Sequence, residues 1–125
     1  MKTDFKHYGN TTICTIADDN GLIFYGEAKC APEDEDKYKD RIGEEIAERR
    51  AMLQSLIYIR QQLRSEIQNQ KHVIGCMKQN KNFSSKHNEF RLFARDLRFN
   101  EQSLKEINNL IRAARFSLDY YTGHI

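Results

Sequence analysis

Residues 85–121 read SKHNEFRLFARDLRFNEQSLKEINNLIRAARFSLDYY, and their spacing decides the fold. Phe90, Phe93, Leu97, Asn100, Leu104, Ile107, Ile111, Ala114, Leu118 and Tyr121 recur at alternating intervals of three and four. Nine of these ten positions are apolar or aromatic, the pattern of a helix with one apolar seam. The spacing predicts a helix over 85–121, about 50 Å long at 1.5 Å per residue. One step round the same helix, Arg91, Arg95, Arg98, Gln102, Lys105, Asn109 and Arg112 form a polar stripe with the same alternation. Arg115 and Asp119 extend its polar side toward the C-terminal end.

Working outward, residues 41–77 carry a second helical lattice: Ile46, Leu53, Leu56, Leu63, Ile67, Ile74 and Met77. Arg49, Arg60 and Gln70 fall on it too, and Gly75 weakens its end. Residues 78–84 (KQNKNFS) read as a polar connector, with Ser84 or Ser85 capping the helix that follows. Residues 31–41 form an acidic linker, in which Pro32 ends a strand and Glu33-Asp34-Glu35-Asp36 precede a helix N-terminus. Before it, residues 10–30 read as a β-hairpin. NTTICTI is rich in β-branched residues, LIFYGEAKC returns, and Asn20-Gly21 suits a type I′ turn, whose two central residues need φ > 0. Gly26 inside the returning strand marks a bulge or a close backbone approach.

The expected architecture is α+β in a single domain over residues 1–125: an N-terminal β-hairpin followed by two long antiparallel α-helices, oligomerising. One hairpin is marginal alone. Ile57, Ile59, Leu92, Phe99, Leu110 and Phe116 lie off the seams and enlarge the apolar arc, so a second copy is expected to cover what the hairpin does not.

Composition bounds the function. The 125 residues have mean hydropathy −0.77, 39% hydrophobic and 30% charged residues, one proline and no tryptophan. Collagen, a disulfide scaffold and a proline-rich linker are excluded, and no apolar run reaches membrane-spanning length. Residues 1–8 lack the apolar region of a signal peptide, so a cytoplasmic site is expected. The net charge of +2 is uneven: residues 71–125 hold ten Lys/Arg against five acids, and residues 1–70 hold ten against thirteen. A basic half suits an anionic ligand or a head-to-tail partner.

Cys14, Cys30 and Cys76 are read as free thiols behaving as small buried hydrophobes. With His7, His72, His87 and His124 scattered, no metal site and no cofactor are expected. No phosphate-binding glycine loop, GxSxG, or hydroxyl or thiol with a paired histidine stands out, which argues against an enzyme. Arginines in line suit bidentate phosphate recognition, or else a solvated face. Asn100 in the seam fixes register or touches a ligand. Arg49 and Arg60 pair with a carboxylate such as Glu45, Glu48 or Glu66, or hold a phosphate on a symmetry axis. Phe83 plugs the helical hairpin or stacks on a base, and Tyr120 and Tyr121 pose the same choice.

One further pattern spans the strand-to-helix passage: Gly26-Glu27-Ala28-Lys29-Cys30-Ala31-Pro32-Glu33-Asp34, then Gly43-Glu44-Glu45-Ile46-Ala47-Glu48-Arg49-Arg50-Ala51. With the chain length and element order, it resembles the phage-encoded Thoeris anti-defence proteins of the first type. That resemblance implies a viral sponge in the host cytoplasm. Such a protein captures, without cleaving, a cyclic ADP-ribose isomer made by bacterial TIR-domain sensors. It implies dimers grouped into hexamers, with cyclic oligonucleotides at a second site in some members. Carried onto this chain, it makes Phe83, Arg112 and Arg115 ligand contacts, with Asn88, Arg91 and Arg95 beside them, and Arg49 and Arg60 candidates for the second site. The alternatives are a nucleic-acid-binding helical protein using the basic stripe, and a structural coiled-coil adaptor.

Overall fold

The computed structural model of the chain describes residues 1–29, 40–79 and 88–122, the side chains of Asp40, Asn88 and Tyr121 excepted. Five elements follow in order: β1 (Lys2–Tyr8), β2 (Thr11–Ala17), β3 (Ile23–Lys29), α1 (Asp40–Gln79) and α2 (Asn88–Thr122). The α+β class and the two long helices agree with expectation. The hairpin is the second half of a three-stranded antiparallel sheet of order β1-β2-β3. The sequence reading left out β1 because KTDFKHY has no β-branched run and only one half-buried residue, Phe5. Its place is set by pairing along β2, from Lys2 opposite Ala17 to Tyr8 opposite Thr11. The acidic linker, Pro32 and the 78–84 connector beyond Gln79, with Phe83, Ser84 and Ser85, lie outside the described residues.

The turn between β2 and β3 also differs. Gly21 has φ 85°, but no other residue type has positive φ among the described residues, so Asn20 does not supply the second half of a type I′ turn. The Asp18 carboxylate takes the amides of Asn20 and Leu22, each at 2.9 Å. The Gly21 amide bonds the Asp18 carbonyl at 3.1 Å and the Asp18 amide bonds the Leu22 carbonyl at 2.9 Å. A three-residue hairpin loop ending on a left-handed glycine results, fixed by the aspartate's appetite for backbone donors.

The chain divides into two compact units, Met1–Ile57 with Leu110–Ile125, and Tyr58–Asn109. In the first, alternation along β2 puts Thr12, Cys14 and Ile16 on the buried face. Cys14, Ile16 and Ala28 pack with Ile46, Ala47 and Ala51 of α1, and Phe5, Ile42, Met52 and Leu118 close round them. Gly26 is the close approach that its place in β3 suggested. A Cβ there would run into the Ala47 carbonyl oxygen and the Ala51 amide nitrogen. Gly26, Ala28, Ala47 and Ala51 together let helix backbone lie directly on strand backbone. Arg50 then ties α1 to β3 by donating to the Glu27 carbonyl at 2.5 Å.

In the second unit Ile67 and Ile74 are buried on α1, and Leu97, Leu104 and Ile107 half-buried on α2. Asn100 donates its side-chain amide to Gln70 at 3.1 Å, and Lys78 lies 5.9 Å from the Phe90 ring centre, so the helices run antiparallel there. Asn100 thus takes the register-setting role. Both seams are buried or half-buried at their described positions, except Phe93, which is exposed. Off the seams, Ile59, Leu92, Phe99, Leu110 and Phe116 are exposed and Ile57 is half-buried.

Candidate functional site

In the second unit, Ile74 and Lys78 near the end of α1 and Phe90, Arg91, Ala94, Leu97 and Arg98 on α2 line a groove of about 460 Å³. The helical repeat builds it. Residues 90, 94 and 97 share one face of α2, and Arg91 and Arg98, seven apart, lie on one stripe beside that face, two turns from each other. Ile74 is buried, while Phe90, Ala94 and Leu97 are half-buried, giving an apolar floor. Lys78, Arg91 and Arg98 are exposed, giving a rim of three cations. Among the described residues, the lining holds no acid, histidine, cysteine or hydroxyl. Such a lining can bind an anion with a flat apolar portion.

Of the expected ligand residues, Arg91 lines the groove. Arg95 is exposed, its Nε 4.0 Å from an Asp96 carboxylate oxygen. Arg112 and Arg115 are exposed and belong to the first unit, whereas Arg91 and Arg95 belong to the second. Phe83 lies outside the described residues, as does the Asn88 side chain. Lys78, Phe90 and Arg98 were not singled out as ligand contacts. The signal that finds them is the adjacency of the arginine stripe to the seam residues Phe90 and Leu97, together with antiparallel pairing that brings the end of α1 alongside.

The two arginines on the α1 lattice differ from each other. Arg49 donates from Nε to the Ser117 hydroxyl at 3.1 Å and from a terminal nitrogen to the Glu45 carbonyl at 3.2 Å. It thereby meets Glu45 through the main chain. Arg60 keeps a buried Nε with no partner among the described residues.

Two histidine pairings escaped the sequence reading. Thr12 and His7 are linked by Oγ1 and Nδ1 at 3.2 Å, and His7 Nε2 meets a Glu44 carboxylate oxygen at 2.9 Å. The order is that of a hydroxyl–imidazole–carboxylate triad, but Thr12 is 1% exposed, so no substrate reaches it. The chain of contacts instead fastens β1 and β2 to α1. His72 Nε2 and Cys76 Sγ lie 3.7 Å apart, one turn apart on α1. Cys76 is exposed, contrary to the expectation for all three cysteines, while Cys14 is buried as expected and Cys30 lies outside the described residues. Burial, and behind it the charges of Glu48, Asp4 and Glu44, push the Cys14 thiol up to about 11.

Among the described residues no three or more His, Cys, Asp or Glu side chains are grouped to hold a metal ion. No described helix is long and apolar enough to cross a membrane. No family model, curated protein or solved structure matches the chain.

Proposed function

We propose that the protein is a non-catalytic sponge that holds a cyclic ADP-ribose isomer and gives it back unchanged. The observation that carries this reading is the groove with three cations over an aliphatic and aromatic floor. A cyclic ADP-ribose isomer has a pyrophosphate and a purine. The forks of Arg91 and Arg98 suit the first, and the Phe90 and Leu97 surface suits the second. The groove's volume falls in the usual range for small-molecule sites, and its described lining holds no carboxylate or histidine. The resemblance of residues 26–34 and 43–51 to the Thoeris anti-defence family supports the same ligand class. Held in this way, the signal of a TIR-based anti-phage defence is kept from its effector.

Tight capture needs more enclosure than one open groove supplies, since affinity tracks desolvation and fit rather than contact count. In this reading the chain assembles as dimers grouped into hexamers, and Phe83, Asn88, Arg95, Arg112 and Arg115 are the further ligand contacts that the resemblance implies. A second site for cyclic oligonucleotides draws on Arg60, whose buried Nε has no partner among the described residues, rather than on Arg49, which is engaged within its own unit.

The test is to incubate the purified protein with cyclic ADP-ribose isomers, remove free ligand, denature by heat and assay the supernatant. Intact ligand in the supernatant is the expected result. A linear or hydrolysed product makes the protein an enzyme. The second reading, nucleic-acid binding, draws on the exposure of all seven stripe residues from Arg91 to Arg112. It wins if no cyclic nucleotide is retained and DNA or RNA binds with a steep salt dependence.

A further inference from the structure

His72 and Cys76 present an imidazole nitrogen and a sulfur 3.7 Å apart on an exposed turn of α1. Zinc–sulfur and zinc–nitrogen bonds of about 2.3 and 2.0–2.1 Å, set at the tetrahedral angle, place their donor atoms about 3.6 Å apart. The pair therefore already has the bite of two ligands of one tetrahedral ion. Positions four apart share one helix face, so both bonds form without unwinding the turn. From Ile67 to Gln79 the helix carries no acid, so the donor set is nitrogen and sulfur alone, which favours zinc over magnesium or calcium.

We propose that His72 and Cys76 form a bidentate site for a thiophilic divalent cation, zinc in the first instance, with solvent filling the other two positions. Binding replaces the thiol proton, which passes to solvent, by a metal–sulfur bond, so affinity rises with pH. Cys76 is two positions from both Ile74 and Lys78, about 200° round the helix, so the site faces away from the groove and is independent of the proposed ligand.

Cobalt(II) is the probe, because a cobalt–thiolate bond is seen directly by its near-ultraviolet charge-transfer absorption. The protein is titrated with cobalt at neutral pH under reducing conditions, and zinc is then added. The expected result is a charge-transfer band that zinc abolishes. Cys76→Ser should abolish it too, and His72→Gln should weaken binding about tenfold or more. Both side chains are exposed, so both variants should keep the parent's circular dichroism. Cys30→Ser should leave the band in place. No band up to millimolar cobalt, a band that survives Cys76→Ser, or one lost in Cys30→Ser overturns the proposal.

Discussion

At Gly26 a single hydrogen atom separates β3 from the backbone of α1, a closer approach than at the turn glycines Gly9 and Gly21. Gly26→Ala drives a methyl group into the Ala47 carbonyl and the Ala51 amide, and neither can rotate away as a side chain would. The expected loss is about 1–3 kcal/mol or more, read as a lower urea midpoint at unchanged slope. Cys14, on the strand opposite Gly26, gives a pH signature. Its thiol stays protonated to about 11 in the fold, against 9.0 for the unperturbed group. Its contribution is complete below pH 9 and disappears as pH rises toward 11, because over that window the unfolded chain binds fewer protons. Denaturation curves from pH 8 to 11 should fall more steeply for the parent than for Cys14→Ala. In the groove, Arg91→Ala and Arg98→Ala should each remove charge-assisted hydrogen bonds of about 1.5–3 kcal/mol. Calorimetric titration with a cyclic ADP-ribose isomer should show a loss of roughly ten to a hundredfold for each.

Across elements, the polar pair between Asn100 and Gln70 interrupts two apolar lattices at the same level. Such a pair aligns one helix against the other because any slip leaves both amides facing hydrocarbon. Asn100→Leu alone should cost about 1 kcal/mol by stranding the Gln70 amide. Adding Gln70→Leu should recover most of that loss, and a double-mutant cycle of thermal melts measures the coupling. The sheet is held to α1 by three different devices: the small-residue contact at Gly26, the Arg50 bond to the Glu27 carbonyl, and the chain from Thr12 through His7 to Glu44. The strand-to-helix contact is therefore specific, although few large side chains take part.

At the scale of the whole molecule, exposed apolar side chains remain in both units. Phe116 is 75% and Phe99 71% exposed, and Leu110 and Leu92 are half-exposed. Under the proposed assembly these residues are where a second copy sits. Phe116→Asp should convert an oligomer to a smaller species in light scattering at micromolar concentration without loss of helix signal, because an exposed position tolerates charge in the isolated chain. Leu104→Asp, on the half-buried seam, should instead unfold the protein. A parent protein that is already monomeric at that concentration removes assembly from the proposal.

The amino-acid sequence by itself determined the helices, their apolar seams and the strands on either side of Asn20-Gly21. Each of these is a local periodicity, written in side chains three, four or two residues apart. It also showed that a glycine in β3 marked something other than an ordinary strand position. It did not reveal β1, whose polar sequence becomes a strand only because β2 offers it hydrogen-bonding partners. Nor did it reveal that Asp18 outcompetes a type I′ turn, a contest settled by the carboxylate's reach to two amides. For the candidate site it placed the arginine stripe but not the groove. Lys78 and Phe90 come together only when two segments pair in opposite directions, and sequence spacing carries no record of that distance. The same reason hid the partners of Arg49 and His7: Ser117 is 68 residues away and Glu44 is 37, and contacts at such separations exist only once the chain has folded.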